Sequence, residues 1–367
     1  MTSLRLLLVA DAVGGVWTYS LELALGLRPL GVETLIAVMG PSPSIRQMKA
    51  AGDIRVIDTG LPLDWIEQSP GELRHASAAL ADLARIERAD VVQVNSAALL
   101  AECKFDQPCV AVQHSCVASW WAAVRGTPLR PDFEWRRELT KTGLERAAAV
   151  VAPSIAFAAE TTRIYSLDEP MTVVHNGRRS NAVQALPQGD FVFTASRLWD
   201  EGKNVATLDA AAERLSVPFQ AAGAAQGPNG ASIAVDHLQL LGELGQARLA
   251  GLYAARPIFA SAALYEPFGL SVLEAAQAGC ALVLSDIPTH REIWGGAAIF
   301  VRARGADGFA AAIEDLLGDR DERLQLGQLA QSRAALYSRE RMALGMAEVH
   351  ARVARPHFVP VAIVDAA

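Results

Sequence analysis

The sequence predicts an α/β protein made of two domains, each with a parallel sheet flanked by helices. Three observations support this prediction. The chain has 367 residues, about twice the length of a typical domain. Short apolar, β-rich runs alternate with longer helical patterns in both halves. The alternation is interrupted between the halves by a polar segment, residues 178–190, which contains Pro187 and Gly189.

The first half begins with a strand candidate at Leu4–Ala10, whose apolar run fits a strand covered on both faces. A helix is predicted at Val16–Leu27. The further strands predicted in this half are Val32–Met39, Ile54–Asp58, Val91–Asn95, Cys109–Gln113, Ala149–Ala152 and Thr172–His175. Helical patterns lie between them, among them Pro70–Ile86 and Arg136–Ala148. We assign residues 1–178 to the first domain.

The second half repeats the alternation, and we assign residues 188–337 to it. Its predicted strands are Phe191–Ala195, Phe219–Ala222, Leu238–Leu241, Pro257–Ala260, Ala281–Ser285 and Ala298–Val301. A helix at Ser338–Ala354 and an apolar tail follow, and residues 338–367 are expected to pack back towards the first domain. Two such halves indicate two Rossmann-like domains facing a cleft, with ligands at the carboxyl ends of the strands.

Composition narrows the class of protein. The formal net charge is −7 and 51% of the residues are hydrophobic, which indicates a folded chain and gives no general attraction to nucleic acid. The four cysteines form no CxxC pair, so free thiols are expected rather than a zinc site or disulfides. Asp11 ends the first apolar run, and no uncharged run reaches the ~18 residues of a membrane span. We therefore expect a cytoplasmic protein without a metal or cofactor.

A glycine pair, Gly14 and Gly15, follows the first predicted strand and precedes a helix. Adjacent glycines let the backbone approach a ligand closely, and a helix N-terminus offers free N–H groups to an anion. A plain tight turn explains the pair equally well. The spacing is not that of the dinucleotide-binding glycine motif.

Two cations, Arg197 and Lys203, bracket a loop after the strand Phe191–Ala195. Six residues apart, they are placed to close on one diphosphate, for which arginine supplies a planar fork and lysine a compact charge. A solvated charged loop is the alternative.

The most specific pattern is a pair of glutamates, Glu266 and Glu274, on either side of Gly269. Gly269 is predicted to open a helix whose first N–H groups form an anion site, with Glu274 in its second turn. The two carboxylates are then placed to bind hydroxyls on both sides of a phosphate, as in a sugar nucleotide. For the glutamates alone, a helix cap and a surface charge remain possible.

The string Glu266-Pro-Phe-Gly-Leu-Ser-Val-Leu-Glu274 resembles the E-x7-E motif of retaining glycosyltransferases with the GT-B fold, in family four. The glycine pair, Asn176-Gly177, Arg197 with Lys203, and the segment from Asp286 to Glu292 occur in the order typical of that family. The resemblance covers nearly the whole chain.

The resemblance implies roles for these residues. Arg197 and Lys203 would bind the donor diphosphate and stabilise the leaving group. The substrate-binding segment would be Phe268, Gly269, Leu270 and Ser271, with backbone amides of Gly269–Ser271 on the phosphates. Glu274 would hold ribose hydroxyls and Glu266 hexose hydroxyls, while Gly14 and Gly15 would line the cleft from the opposite domain. Family members usually need no metal, because cationic side chains and a helix end take that role.

His114 follows the strand Cys109–Gln113 and is expected at a carboxyl end. We count it among the catalytic residues, as a neutral ring that hydrogen-bonds a donor-sugar hydroxyl or the reacting region, although a structural histidine is the alternative. Gln93-Val94-Asn95 departs from the family pattern and receives no role. Arg178-Arg179 either solvates the linker or binds an anionic acceptor.

An aromatic and basic segment lies between the fifth and sixth predicted strands: Trp120, Trp121, Arg125, Arg130, Trp135, Arg136 and Arg137. Core packing with a solvated basic face explains it. Binding of a sugar or a lipid surface is the alternative.

The predicted function is metal-independent transfer of a hexose, with retention, from a UDP-, GDP- or ADP-linked donor to a hydroxyl of a sugar, lipid or small molecule. Alternatives are a sugar-nucleotide epimerase, a phosphorylase or a non-catalytic sugar-nucleotide-binding protein. No nucleic-acid partner is expected, and membrane association lacks support.

Overall fold

A computed structural model describes residues 3–63, 70–180 and 186–354. Its contacts divide the chain into two compact units. The N-terminal unit comprises the residues up to Ala122, Thr127–Arg179 and the segment from Arg339 onward. The C-terminal unit comprises Ala123–Gly126 and Ser180–Ser338.

The N-terminal unit contains a parallel sheet of seven strands among the described residues, in the order β3-β2-β1-β4-β5-β6-β7. The strands are β1 (Leu4–Asp11), β2 (Val32–Met39), β3 (Arg55–Asp58), β4 (Val91–Val94), β5 (Cys109–Val112), β6 (Ala149–Ala152) and β7 (Thr172–Val173). The helices are α1 (Gly15–Leu27), α2 (Ile45–Ala51), α3 (Pro70–Ile86), α4 (Val117–Arg125), α5 (Glu134–Arg146) and α6 (Ile155–Tyr165). The strand order reverses between β1 and β4, which makes the carboxyl ends of these strands the switch point where open α/β sheets bind ligands.

A last helix, α13 (Arg339–Val353), completes the core of the N-terminal unit. It buries Met342, Met346 and Val349 in the cluster formed by β1 and α1. A Cβ at Gly26 would lie 2.7 Å from the Cβ of Ala343, so only glycine allows α1 and α13 to approach this closely.

The C-terminal unit contains a parallel sheet of six strands in its described part, in the order β10-β9-β8-β11-β12-β13. The strands are β8 (Val192–Ala195), β9 (Phe219–Ala222), β10 (Gln239–Gly242), β11 (Ile258–Ser261), β12 (Ala281–Ser285) and β13 (Ile299–Val301). The helices are α7 (Val205–Ala212), α8 (Gln246–Ala254), α9 (Leu270–Gln277), α10 (Pro288–Trp294), α11 (Ala306–Gly318) and α12 (Arg320–Ala334). Here the order reverses between β8 and β11, which places this unit's switch point after those two strands.

The α/β prediction is confirmed, and each predicted strand is present with its ends shifted by at most two residues. The helix predicted at Arg136–Ala148 is observed two residues earlier, as α5. Part of the predicted linker and the apolar tail lie outside the described residues.

Candidate functional site

The loop after β8 is fixed to the loop after β11 by backbone and side-chain hydrogen bonds. The carbonyl of Gly202 accepts from the N–H of Leu264 at 2.8 Å and of Tyr265 at 3.2 Å. Asn204, in the left-handed region at φ 53°, donates its amide to the carbonyls of Ala262 at 3.0 Å and Ala303 at 2.7 Å. These bonds leave the loop little freedom, and they position Lys203 next to the segment that carries Glu266.

Lys203 and Glu266 form an ion pair at the C-terminal unit's switch point. Lys203 Nζ donates to Glu266 Oε2 at 2.7 Å, and the two side chains are only 15% and 12% exposed. Partial burial strengthens a charge pair relative to one in water. Two residues that are 63 positions apart in the sequence thus form one polar centre.

Gly269 begins α9 beside this pair. Its φ of 95° lies in the left-handed region, and no side chain caps the helix N-terminus. A Cβ at this position would lie 3.3 Å from Glu266 Cγ and 3.3 Å from Val272 Cγ2. The first N–H groups of a helix lack intrahelical partners and favour an anion. Glycine therefore brings these donors close to the Glu266 side chain.

Arg197 follows β8, and its guanidinium is anchored on the N-terminal side of the same loop. Nη2 donates to Asp200 Oδ2 at 2.8 Å, and the guanidinium carbon lies 5.6 Å from the centre of the Trp199 ring. Asp200 also accepts from the N–H of Gly202 at 2.9 Å. Arg197 keeps 41% of its side chain exposed, so it is oriented but remains accessible.

The remaining predicted residues of the C-terminal unit lie on α9 or just before it. Glu274 is partly buried in the second turn of α9, and Leu270 and Ser271 form its first turn. The ring of Phe268 is buried against Tyr337, with ring centres 5.6 Å apart. The side chain of Phe268 is therefore part of the core of the C-terminal unit.

His290 on α10 is a nearby residue to which sequence analysis gave no role. Its Nδ1 lies 2.9 Å from the carbonyl of Ser285, and its ring is fully buried. The pKa of His290 is lowered, chiefly by burial. The charge of Glu266 opposes this shift and the charge of Lys203 adds to it. His290 is thus neutral near pH 7, and it lies close enough to the ion pair for both charges to affect its pKa.

In the N-terminal unit, Gly14 and Gly15 follow β1 at the switch point. Both are exposed, and Gly14 is the residue before α1, with φ 82° and no side-chain cap. An L side chain rarely adopts this conformation. The turn therefore needs a glycine, and it also exposes the start of α1.

His114 follows β5 and bonds to the residue that follows β4. Its Nε2 lies 3.1 Å from Asn95 Oδ1, and its ring makes an edge contact with Tyr19 at 4.3 Å between centres. Burial lowers the pKa of His114 to about 4, so the ring is neutral near pH 7. Sequence analysis gave no role to Asn95, although it follows a buried strand and lies in a segment that departs from the family pattern.

The position of Arg178 does not agree with the interpretation that its side chain solvates the linker. Its side chain is 12% exposed and its Nε lies 3.7 Å from Glu22 Oε1. Glu22 also pairs with Arg339 at the start of α13, so Arg178 is a structural residue. In the aromatic segment, Trp121 packs on Phe133 with ring centres 5.8 Å apart, and both are half-buried.

Within the described ranges, no group of three or more His, Cys, Asp or Glu side chains is arranged to hold a metal ion. The four cysteines are free thiols. None of the described helices is both long and apolar enough to cross a membrane.

Two family models match this chain. The model of "Glycosyltransferase Family 4" matches residues 13–179, and that of "Glycosyl transferases group 1" matches residues 233–333. The chain is a family-4-type glycosyltransferase with the GT-B fold. The second match contains the Glu266–Glu274 segment and α10.

Among curated proteins, this glycosyltransferase is similar to alpha-maltose-1-phosphate synthase of Mycolicibacterium smegmatis. The two are 25% identical over an alignment that covers 79% of this chain and 88% of that protein.

Solved structures share the fold at lower sequence identity. Sucrose-phosphate synthase from Thermosynechococcus elongatus superposes with a TM-score of 0.79 and 19% identity, over 95% of this chain and 98% of that one. Anabaena HepE in complex with UDP-glucose superposes with a TM-score of 0.74 and 18% identity, over 95% and 99%.

Proposed function

We propose that this glycosyltransferase moves a hexose from a nucleoside-diphosphate sugar to a hydroxyl acceptor, with retention of anomeric configuration and without a metal ion. One observation carries the proposal. The Lys203–Glu266 pair lies beside the uncapped start of α9, at the switch point of the C-terminal sheet. A cation, a set of free N–H donors and a carboxylate are what a sugar diphosphate needs from a protein.

The donor diphosphate is proposed to bind at the start of α9. Lys203 uses one of its three N–H donors on Glu266, and two remain for phosphate oxygens. The N–H groups of Gly269–Ser271 and the exposed guanidinium of Arg197 add to the charge stabilisation. These fixed donors would stabilise the departing nucleoside diphosphate, which is the role that a metal has in other transferases.

The two glutamates are proposed to bind hydroxyls on either side of the diphosphate. Glu266 would take hexose hydroxyls because it lies beside the amides of α9, and Glu274 would take ribose hydroxyls from the second turn. The solved HepE complex contains UDP-glucose, which supports a nucleotide sugar as donor. Gly14, Gly15 and His114 remain predicted substrate contacts of the N-terminal unit.

Thermal shift with UDP-, GDP- and ADP-sugars tests donor binding, because a ligand that binds the folded state raises the melting temperature by mass action. The donor that stabilises the protein is then used, with a radiolabelled sugar, in transfer assays. The acceptors include glucose 1-phosphate, because adding one glucosyl unit to it gives maltose 1-phosphate, the compound in the name of the Mycolicibacterium relative. NMR of the product gives the anomeric configuration, and an EDTA control tests metal independence.

Lys203→Ala and Glu266→Ala are expected to reduce transfer by at least 100-fold, a loss of about 2.7 kcal/mol of transition-state stabilisation. Arg214→Ala is the matched control, since Arg214 forms an exposed ion pair with Asp307 at 2.6 Å in the same unit. Wild-type transfer by either site variant would overturn the assignment. Isomerised donor or phosphate-dependent cleavage would instead support an epimerase or a phosphorylase.

A further inference from the structure

A chain of hydrogen bonds joins three neighbouring strands of the N-terminal sheet at their carboxyl ends. Asn95 follows β4, and its side-chain nitrogen donates to the carbonyl of Val9 on β1 at 3.0 Å. The same nitrogen lies 3.1 Å from Ser20 Oγ on α1. Asn95 Oδ1 lies 3.1 Å from Nε2 of His114, which follows β5. The bonds thus run from a main-chain carbonyl, through one amide, to an imidazole.

The Val9 carbonyl fixes the orientation of the Asn95 amide. A main-chain carbonyl can only accept a hydrogen bond, so the side-chain nitrogen must face it. The reverse orientation would bring two acceptor oxygens within 3.0 Å of each other. Asn95 Oδ1 must therefore face His114.

The orientation of Asn95 in turn fixes the proton on His114. Asn95 Oδ1 is only an acceptor, so Nε2 of His114 must carry a hydrogen. Because burial lowers the pKa of this ring to about 4, it holds a single proton at neutral pH. That leaves Nδ1 with a lone pair, and among the described residues the hydrogen bond of this ring is the one from Nε2 to Asn95. The buried ring of Tyr19 restrains the plane of the imidazole from one side.

We propose that Asn95 is a positioning residue that holds His114 in the Nε2–H tautomer, so that Nδ1 accepts a hydrogen bond from a hydroxyl of the sugar substrate. The substrate class in this proposal rests on the proposed function, whereas the tautomer does not. A lone pair at Nδ1 attracts a hydroxyl hydrogen and repels a phosphate oxygen. His114 therefore favours a neutral hydroxyl over a phosphate oxygen.

Nitrogen NMR of histidine-labelled protein tests the tautomer without any substrate. The chain has seven histidines, and the signals that disappear in His114→Gln identify this ring. Near pH 7 the wild-type protein is expected to show a protonated Nε2 and an unprotonated Nδ1. A protonated Nδ1, or a mixture of the two tautomers, would overturn the proposal.

Asn95→Leu removes the acceptor at similar volume, and His114 is then expected to populate both tautomers. The kcat/KM for transfer is expected to fall about tenfold, because the ring loses the Asn95 hydrogen bond that fixes both its tautomer and its orientation. Ser20→Ala is the matched control for the tautomer, since the Val9 carbonyl still orients the amide. Thermal unfolding confirms that each variant is folded.

The outcomes separate this proposal from the proposed function. An Asn95→Leu protein in which His114 keeps the Nε2–H tautomer, or transfers at the wild-type rate, overturns the positioning role. A wild-type protein with the expected tautomer that transfers no sugar from any donor contradicts the proposed function and supports the tautomer assignment.

Discussion

Removing the charge of Lys203 is expected to destabilise the C-terminal unit as well as to stop transfer. The Nζ to Oε2 distance of 2.7 Å gives a gross attraction of about 6 kcal/mol at an effective dielectric constant of about 20. Desolvation of both groups offsets much of this gain. Removing one partner of a buried pair costs about 3–5 kcal/mol, since the other charge stays behind.

Because 15% and 12% of the two side chains remain in contact with water, we expect the loss for Lys203→Met to lie near about 2–3 kcal/mol. For a domain of this size that corresponds to a fall in Tm of roughly 5–10 °C. Glu266→Gln is expected to be milder, since the amide oxygen still accepts from Nζ. The double variant removes both charges and is expected to regain most of the lost stability while remaining inactive.

Urea unfolding of the wild type, both single variants and the double variant completes a mutant cycle. Arg214→Ala again serves as control, because its ion pair is exposed and worth less than about 1 kcal/mol. The reasoning fails if Lys203→Met changes the free energy of unfolding by less than about 0.5 kcal/mol. It also fails if the two single losses simply add in the double variant.

Three further predictions address other features. Gly269→Ala combines strain at φ 95° with a Cβ 3.3 Å from Glu266 Cγ, so we expect the free energy of unfolding to fall by about 1–2 kcal/mol and the transfer rate to fall at least tenfold. The control is Gly251→Ala, where a Cβ meets open space. Arg323→Met leaves two backbone carbonyls and one carboxylate without their buried donor, and urea unfolding should show a loss of about 2–3 kcal/mol; an unchanged midpoint would contradict this. Burial lowers the pKa of His350 to about 3, below its unfolded value of about 6.5. As the pH drops from about 6.5 towards 3, the unfolded chain therefore binds a proton that the folded protein does not, and stability should fall. A His350→Gln variant with the same pH dependence of stability would refute this.

Much of the fold can be predicted from the sequence because the strands are buried on both faces. An apolar run such as Leu4–Ala10 has few other structures available. Boundaries were less accurate where turn residues gave weak signals, as at α5, which begins at Glu134. The short helix α2 was not predicted, although Ser44 and Gln47 form a capping box at its start.

The candidate site could be predicted only in part. Lys203 and Glu266 each stood out in a local pattern, but their ion pair depends on the order of strands in the sheet. The role of Asn95 was missed, because it depends on partners 19 and 86 positions away. For Arg178 the sequence left linker solvation and binding of an anionic acceptor open, since a charged residue beside a glycine gives no local sign of an ion pair with the distant Glu22.

The placement of α13 has a consequence for biosynthesis. This helix buries Met342 and Met346 in the first unit's core. The carboxylate of Glu22 on α1 pairs with Arg178, near which the chain leaves that unit, and with Arg339, where it returns. On the ribosome, residues 1–179 therefore emerge without an essential part of their core. The second unit is contiguous from Ser180 to Ser338 apart from Ala123–Gly126, so it can fold while the first unit still waits for its final helix. The first unit is thus expected to complete its core only after the second unit has been synthesised, unlike the usual N-terminal-first order.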